Sequence, residues 1–119
     1  MFDFYMDAHM HFDLYDERNE ILRYVEKKKS YTIAVTNLPH LFQKYKEQYA
    51  ENKHFQIALG FHPELVHEYA DQIVLFKKLI NETRFIGEIG LDYTKKSKED
   101  ETAQTEAFEK ILEWCSGKN

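Results

Sequence analysis

Two histidines separated by a single residue, in Asp7-Ala8-His9-Met10-His11, stand near the start of the chain. Alternate residues of an extended strand point the same way, so His9 and His11 can aim both imidazoles at one point. That is how two nitrogens reach one divalent metal ion. Asp7 and Asp13 flank the pair and could orient the imidazoles or bind metal themselves. Two surface histidines near a strand end would show the same spacing. Further along, Glu88 lies between two glycines in FIGEIGLDY, Phe85 to Tyr93, a run that otherwise reads as a buried strand. A carboxylate in such a place is costly unless a charge meets it. The charge is either a metal or a lysine or arginine paired in the core. His62, in GFHPE, offers a third imidazole, with a packed loop histidine before a rigid proline as the alternative.

The elements that must position these residues come from the hydrophobic pattern. Phe2–Met6, Tyr31–Thr36, Phe55–Gly60 and Arg84–Ile89 are short apolar, β-branched or aromatic runs, as in strands covered on both faces. Helical periodicity lies between and after them. It runs through Ile21, Leu22 and Val25, then from Pro39 through Leu41, Phe42, Tyr45 and Tyr49. A third set is Tyr69, Ile73, Phe76 and Ile80. A fourth is Phe108, Ile111, Leu112 and Cys115, followed by Gly117 where a helix-terminating glycine is expected. Strands and helices alternate, which predicts right-handed crossovers and parallel strands. A (β/α)₈ barrel takes about 250 residues for eight units. Four units in 119 residues make one domain close to half of such a barrel, although an open four-stranded sheet has the same order. In parallel α/β proteins, sites form at the C-terminal ends of strands. His9 and His11 end the first strand, Thr36 and Asn37 the second, His62 the third and Glu88 the fourth. His40 and His54 fall at no such end, and His67 opens the third helix.

Composition narrows the class. Apolar residues make up 43% and charged residues 31%, which is globular rather than disordered. The single cysteine, Cys115, excludes an internal disulfide and fits a reducing cytoplasm. No run of about 18 apolar residues exists to span a membrane. The acidic N-terminus lacks the basic region of a signal peptide. A net charge of −5 argues against broad charge-driven nucleic-acid binding, but not against a nuclease that meets phosphate through metal ions. The lysine runs Lys27–Lys29 and Lys95–Lys98 read as solvated surface.

DAHMHFDLY, ALGFHPE, FIGEIGLDY and QTEAFEKILEW, in that order, resemble the TatD family of metal-dependent hydrolases, and also TatD-type nucleases of bacterial anti-phage systems. GEIGLDY is the most specific of these pieces, while the paired histidines are shared by the wider amidohydrolase group. The resemblance covers the whole chain. It implies a TIM-type barrel that hydrolyses nucleic-acid phosphodiesters, as a DNase, with metal-activated water. By that resemblance His9 and His11 are metal ligands and Glu88 a carboxylate that bridges two divalent ions. His62 is an active-site histidine placed to touch substrate phosphate, and Asp92 supports the site. Asp7 and Asp13 match motif aspartates. The donor set suits zinc, manganese or magnesium.

Family members are roughly twice as long, and their second half supplies two more histidines and an aspartate. Nothing after Asp92 matches these. The chain is therefore expected to be a fragment or to complete itself by pairing, with weak or no activity alone. Four units would leave open sheet edges and bare inward residues such as Ile33, Val35, Ile57, Leu59 and Ile86, which favours self-association. A non-catalytic metal-binding or assembly half-barrel is the alternative from another class. Another histidine-paired phosphoesterase or amidohydrolase would not predict GEIGLDY.

Overall fold

The computed structural model describes residues 5–12 and 16–116. Its regular elements are β1 (Tyr5–Met10), α1 (Arg18–Lys28), β2 (Ser30–Ala34), α2 (Pro39–Gln48), β3 (Phe55–Ile57), α3 (Ile73–Leu79) and α4 (Lys98–Cys115). The three strands form one parallel sheet in the order β1-β2-β3, with Tyr5 opposite Ser30 and Thr32 opposite Phe55. This is the α/β alternation expected from the sequence. The first strand runs further along the chain than Phe2–Met6, so His9 lies inside it and His11 just beyond.

The fourth expected strand, Arg84–Ile89, is not a strand. One parallel bridge, Leu59 with Ile86, is all the ladder it forms. Its backbone bonds are divided between Leu59 and Phe61 on one side and Thr36 on the other. The third helical stretch is also shorter than its apolar residues suggest, because α3 is flanked by 3₁₀ turns at Ala70–Gln72 and Ile80–Glu82.

Local chemistry explains the helix ends. Pro39 occupies the first turn of α2, where its missing N–H costs nothing. Ser97 and Asp100 close a reciprocal capping box on α4, whose first turn also carries Glu99 and Glu101. Lys29 ends α1 in the left-handed region, with φ 52°.

The helices cover one side of the sheet. Phe42, Leu59, Phe61, Phe76 and Ile111 centre the larger apolar cluster between α2, α3 and α4. Phe12, Leu22, Ala34, Tyr45, Tyr49 and Phe55 form the second, near α1. Fully burying side chains of this kind is worth about 1.5–3 kcal/mol each. Phe12 is 1% exposed and packs edge-on to Tyr49 and Phe55, with ring centroids 5.0 and 4.6 Å apart. It thereby anchors the chain directly after His11. Leu112, expected in the apolar stripe of α4, is exposed; Gln104, Ala107 and Ile111 are the buried residues of that helix.

Among the described residues no helix covers the opposite side of the sheet. A groove of about 500 Å³ runs past Ala8, Ile33, Val35, Ala58 and Ile86 to His9 and Glu88. Tyr5 and Met6 on β1 are 73% and 62% exposed. The expected bare set is only partly bare. Val35 and Leu59 are buried, and Ile57 and Ile86 pack against the helix-side core, while Ile33, Val35 and Ile86 line the groove.

Candidate metal centre

The strand ends bring His9, His11 and Glu88 together. His11 Nε2 is 2.8 Å from Glu88 Oε2, His9 Nε2 is 3.7 Å from the same oxygen, and the two imidazole Nε2 atoms are 3.3 Å apart. Each residue thus offers one ligand atom, and the three atoms lie within 4.8 Å of one another. The rings meet nearly edge to face, at 74°.

This donor set fits a divalent ion. Two nitrogens bonded at 2.0–2.1 Å to a tetrahedral centre stand about 3.3–3.4 Å apart, which is the separation of the two imidazoles. The carboxylate supplies a hard oxygen and a negative charge. His11 Nδ1 is buried and has no hydrogen-bond partner among the described residues. The ring is therefore held by packing and by its Nε2 contacts, the Nε2 being the atom turned toward the ligand group.

Several local features hold the three in place. Phe12 pins the chain on one side of His11, and the Val35 N–H donates to Met10 O at 2.9 Å on the other. Asp7 Oδ1 accepts from the His9 N–H at 3.1 Å, so this carboxylate props the backbone of His9 rather than its imidazole. Asp13 lies outside the described residues. All four backbone polar groups of Gly87 and Glu88 are bonded. Gly87 N–H donates to Leu59 O, Glu88 N–H donates to Thr36 O, and Gly87 O and Glu88 O accept from Thr36 and Phe61.

His62 and Asp92 contribute no ligand atom to the trio. The His62 N–H donates to Asn37 O at 2.8 Å, and its Nδ1 accepts from the Glu64 N–H at 3.2 Å, capping the 3₁₀ turn Pro63–Leu65. With Nδ1 used as acceptor, Nε2 carries the proton of the neutral ring and is a donor. Asp92 sits in the segment between Gly90 and α4. Its Oδ1 accepts from the Thr94 N–H at 3.1 Å, and that bond holds the carboxyl below the usual aspartate range.

One residue of this region is given no role by the sequence. Gln104 on α4 is 1% exposed. Its Oε1 accepts from the Asp92 N–H at 2.7 Å and its Nε2 donates to Asp92 O at 2.9 Å. The next residue, Thr105, bonds the Tyr93 hydroxyl. The GLDY segment is thereby strapped to α4. The sequence does carry a signal for it, since Gln104 is a lone amide on a helix face that also presents Ala107, Phe108 and Ile111.

A search of solved structures finds the crystal structure of YjjV, a TatD homolog from Escherichia coli K12, with a TM-score of 0.74. The likeness covers 93% of this chain at 17% identity, so it is one of fold, and places the chain as half of a TIM-type barrel. The chain spans only 46% of that protein's length. No curated protein matches the sequence significantly. Among the described residues no helix is long and apolar enough to cross a membrane. The sequence model for TatD related DNases matches residues 6–118, a range that runs through His9, His11 and Glu88, and the chain belongs to that family.

Proposed function

We propose that this chain carries the metal-binding N-terminal half of a phosphodiester hydrolase acting on nucleic acid, in a cytoplasmic setting. The convergence of His9, His11 and Glu88 within 4.8 Å carries the reading. When bound there, a divalent ion supplies Lewis acidity, polarising a phosphoryl oxygen and making water a better nucleophile at neutral pH. Zinc, manganese and magnesium all suit such donors.

The chain's own residues supply the rest. Glu88 brings a carboxylate to a trio whose other two members are imidazoles, and so adds a hard anionic oxygen for the cation. His62, with its Nδ1 engaged, presents an Nε2–H that can donate to a phosphate oxygen. Asp92, whose carboxylate accepts from the Thr94 N–H, holds its turn after Gly90. The groove leading to His9 and Glu88 is open, which leaves water free access to the site. A hydrolytic site of this family excludes bulk water better when the barrel is closed. Activity of this chain alone is accordingly expected to be weak.

The test is hydrolysis of bis(p-nitrophenyl) phosphate and of a labelled DNA duplex by the purified chain. Each assay is run with zinc, manganese or magnesium and again with chelator, beside a version extended to about 260 residues, roughly eight βα units. Metal-dependent cleavage by the extended version, lost in Glu88→Gln, supports the proposal. Absence of cleavage by both with every metal refutes it.

The exposure of β1 favours a second reading, a half-barrel that works by assembly rather than by chemistry. Its outer edge is unpaired among the described residues and its side chains from Tyr5 to His9 are exposed. Such an edge invites another strand. Association without metal-dependent cleavage would select this reading.

A further inference from the structure

Glu88 belongs to the fourth βα unit, yet its carboxylate meets an imidazole at the end of the first strand. Strands in a sheet stand about 4.8 Å apart, so a regular fourth strand would lie roughly 14 Å from the first. The Gly87–Glu88 segment departs from its own place to narrow that gap. Two of its bonds are to the third strand position, Gly87 N–H to Leu59 O and Phe61 N–H to Glu88 O, both 2.8 Å. Two others pass over that position to Thr36, the second residue after β2. Glu88 N–H donates to Thr36 O at 3.0 Å, and Thr36 N–H donates to Gly87 O at 3.1 Å. Gly60 is the crossing point. A Cβ there would stand 1.8 Å from Thr36 O and 2.4 Å from both Gly87 O and Glu88 N.

Thr36 is itself locked. It is 2% exposed, its Oγ1 donates to Ala58 O at 2.8 Å, and the same oxygen accepts from the Gly60 N–H at 3.0 Å. The preceding residue, Val35, holds Met10 O, between the two histidines. The end of β2 thus grips both parts of the candidate site, the strand with the imidazoles and the peptide with the carboxylate.

We infer that Thr36 is a positioning residue whose buried hydroxyl, by fixing the end of β2 against Ala58 and Gly60, sets the place of Glu88 relative to His9 and His11. Thr36 touches none of the three side chains and acts through the backbone. The inference rests on reading His9, His11 and Glu88 as a ligand set. A valine in its place matches the shape but leaves Ala58 O and Gly60 N–H unpaired in a buried place. A serine keeps the hydroxyl.

The experiment compares the full chain with Thr36→Val, Thr36→Ala and Thr36→Ser. Cobalt(II) binding is followed by visible absorbance, and amide hydrogen exchange is measured without metal. Loss of a group that orients a ligand typically costs 10–100-fold in metal affinity. Thr36→Val is expected to bind cobalt about 10–100-fold more weakly and Thr36→Ser within about threefold of the parent. The Glu88 and Gly60 amides should exchange faster in Thr36→Val while those of α3 and α4 do not. Thr36→Ala replaces Thr36→Val if the latter does not fold. Unchanged cobalt binding with unchanged Glu88 exchange overturns the inference. So does equal acceleration of every amide, or failure of Thr36→Ser to restore binding. If the parent chain takes up no cobalt, the ligand reading fails, and exchange at Glu88 decides the role of Thr36 by itself.

Discussion

His11 Nε2 and Glu88 Oε2 stand 2.8 Å apart although they come from the first and fourth βα units, with His9 Nε2 3.3 Å from the former. Removing the charge while keeping the shape isolates the contribution of the carboxylate. Glu88→Gln is expected to lower zinc or cobalt affinity by more than the roughly 10–100-fold that loss of an orienting group costs. Far-ultraviolet circular dichroism should be unchanged, because Glu88 anchors the fold through its backbone. Calorimetric titration of both proteins checks this, and equal affinities would remove Glu88 from the ligand set.

Gly60→Ala is expected to destabilise the chain by about 3 kcal/mol or more, at the upper end of what overpacking costs. The methyl group has nowhere to go, since backbone atoms of Thr36, Gly87 and Glu88 surround it. Urea unfolding followed by tryptophan fluorescence measures the loss. A variant as stable as the parent would show that the crossing is far looser than described.

Gln104→Leu should cost about 1–3 kcal/mol, since the Asp92 N–H and C=O lose their partner at a buried amide. The replacement is apolar and similar in size, so packing against α4 is largely retained. The same unfolding experiment applies. A neutral or stabilising effect would mean that water serves Asp92 equally well.

Asp100 couples α4 to the segment before it through pH. Its carboxyl lies below the ordinary aspartate range, first through the Ser97 side chain and then through His67, whose Nδ1 is 2.6 Å away. A carboxyl lowered in the folded state adds stability in full above its unfolded value, about 3.9, and loses it as pH falls through the lower folded value. The melting-temperature gap between the parent and Asp100→Asn should therefore shrink as pH falls from about 4 toward 3. A gap that stays constant or widens over that acid range would contradict this assignment.

If the edge of β1 pairs chain with chain, Met6→Lys should weaken that pairing, because an inward charge on an edge strand opposes strand addition. Light scattering over a tenfold concentration range compares the two proteins. A parent chain that stays monomeric throughout would end the assembly reading.

The alternation of strands and helices is legible in the sequence because each run has its own period. His9 and His11 stand out by their spacing, and Glu88 by being acidic in an apolar run. These signals point to one rim, where the structure places all three. The irregular course of Arg84–Ile89 is not legible, because its cause is distant. Its apolar residues suit a strand, but Gly60 lets Gly87 and Glu88 reach across to Thr36 as well. The spacing of residues gives Thr36 and Gln104 no chemical role, and their importance lies in bonds to backbone atoms. Asp7 looks like a partner for an imidazole by position, yet a closer N–H takes its oxygen.

The exposure of β1 also bears on the order in which the molecule opens. Among the described residues the strand is paired along one side only, and Phe12 is its deeply buried neighbour. Sub-global opening should therefore begin at Tyr5 and travel toward Phe12, releasing His9 before His11. Backbone amides from Asp7 to Met10 would lose their protection well below the free energy of complete unfolding. A cation shared by His9 and Glu88 would act as a clasp across that seam, raising the opening free energy of β1 while leaving the helix-side core almost untouched.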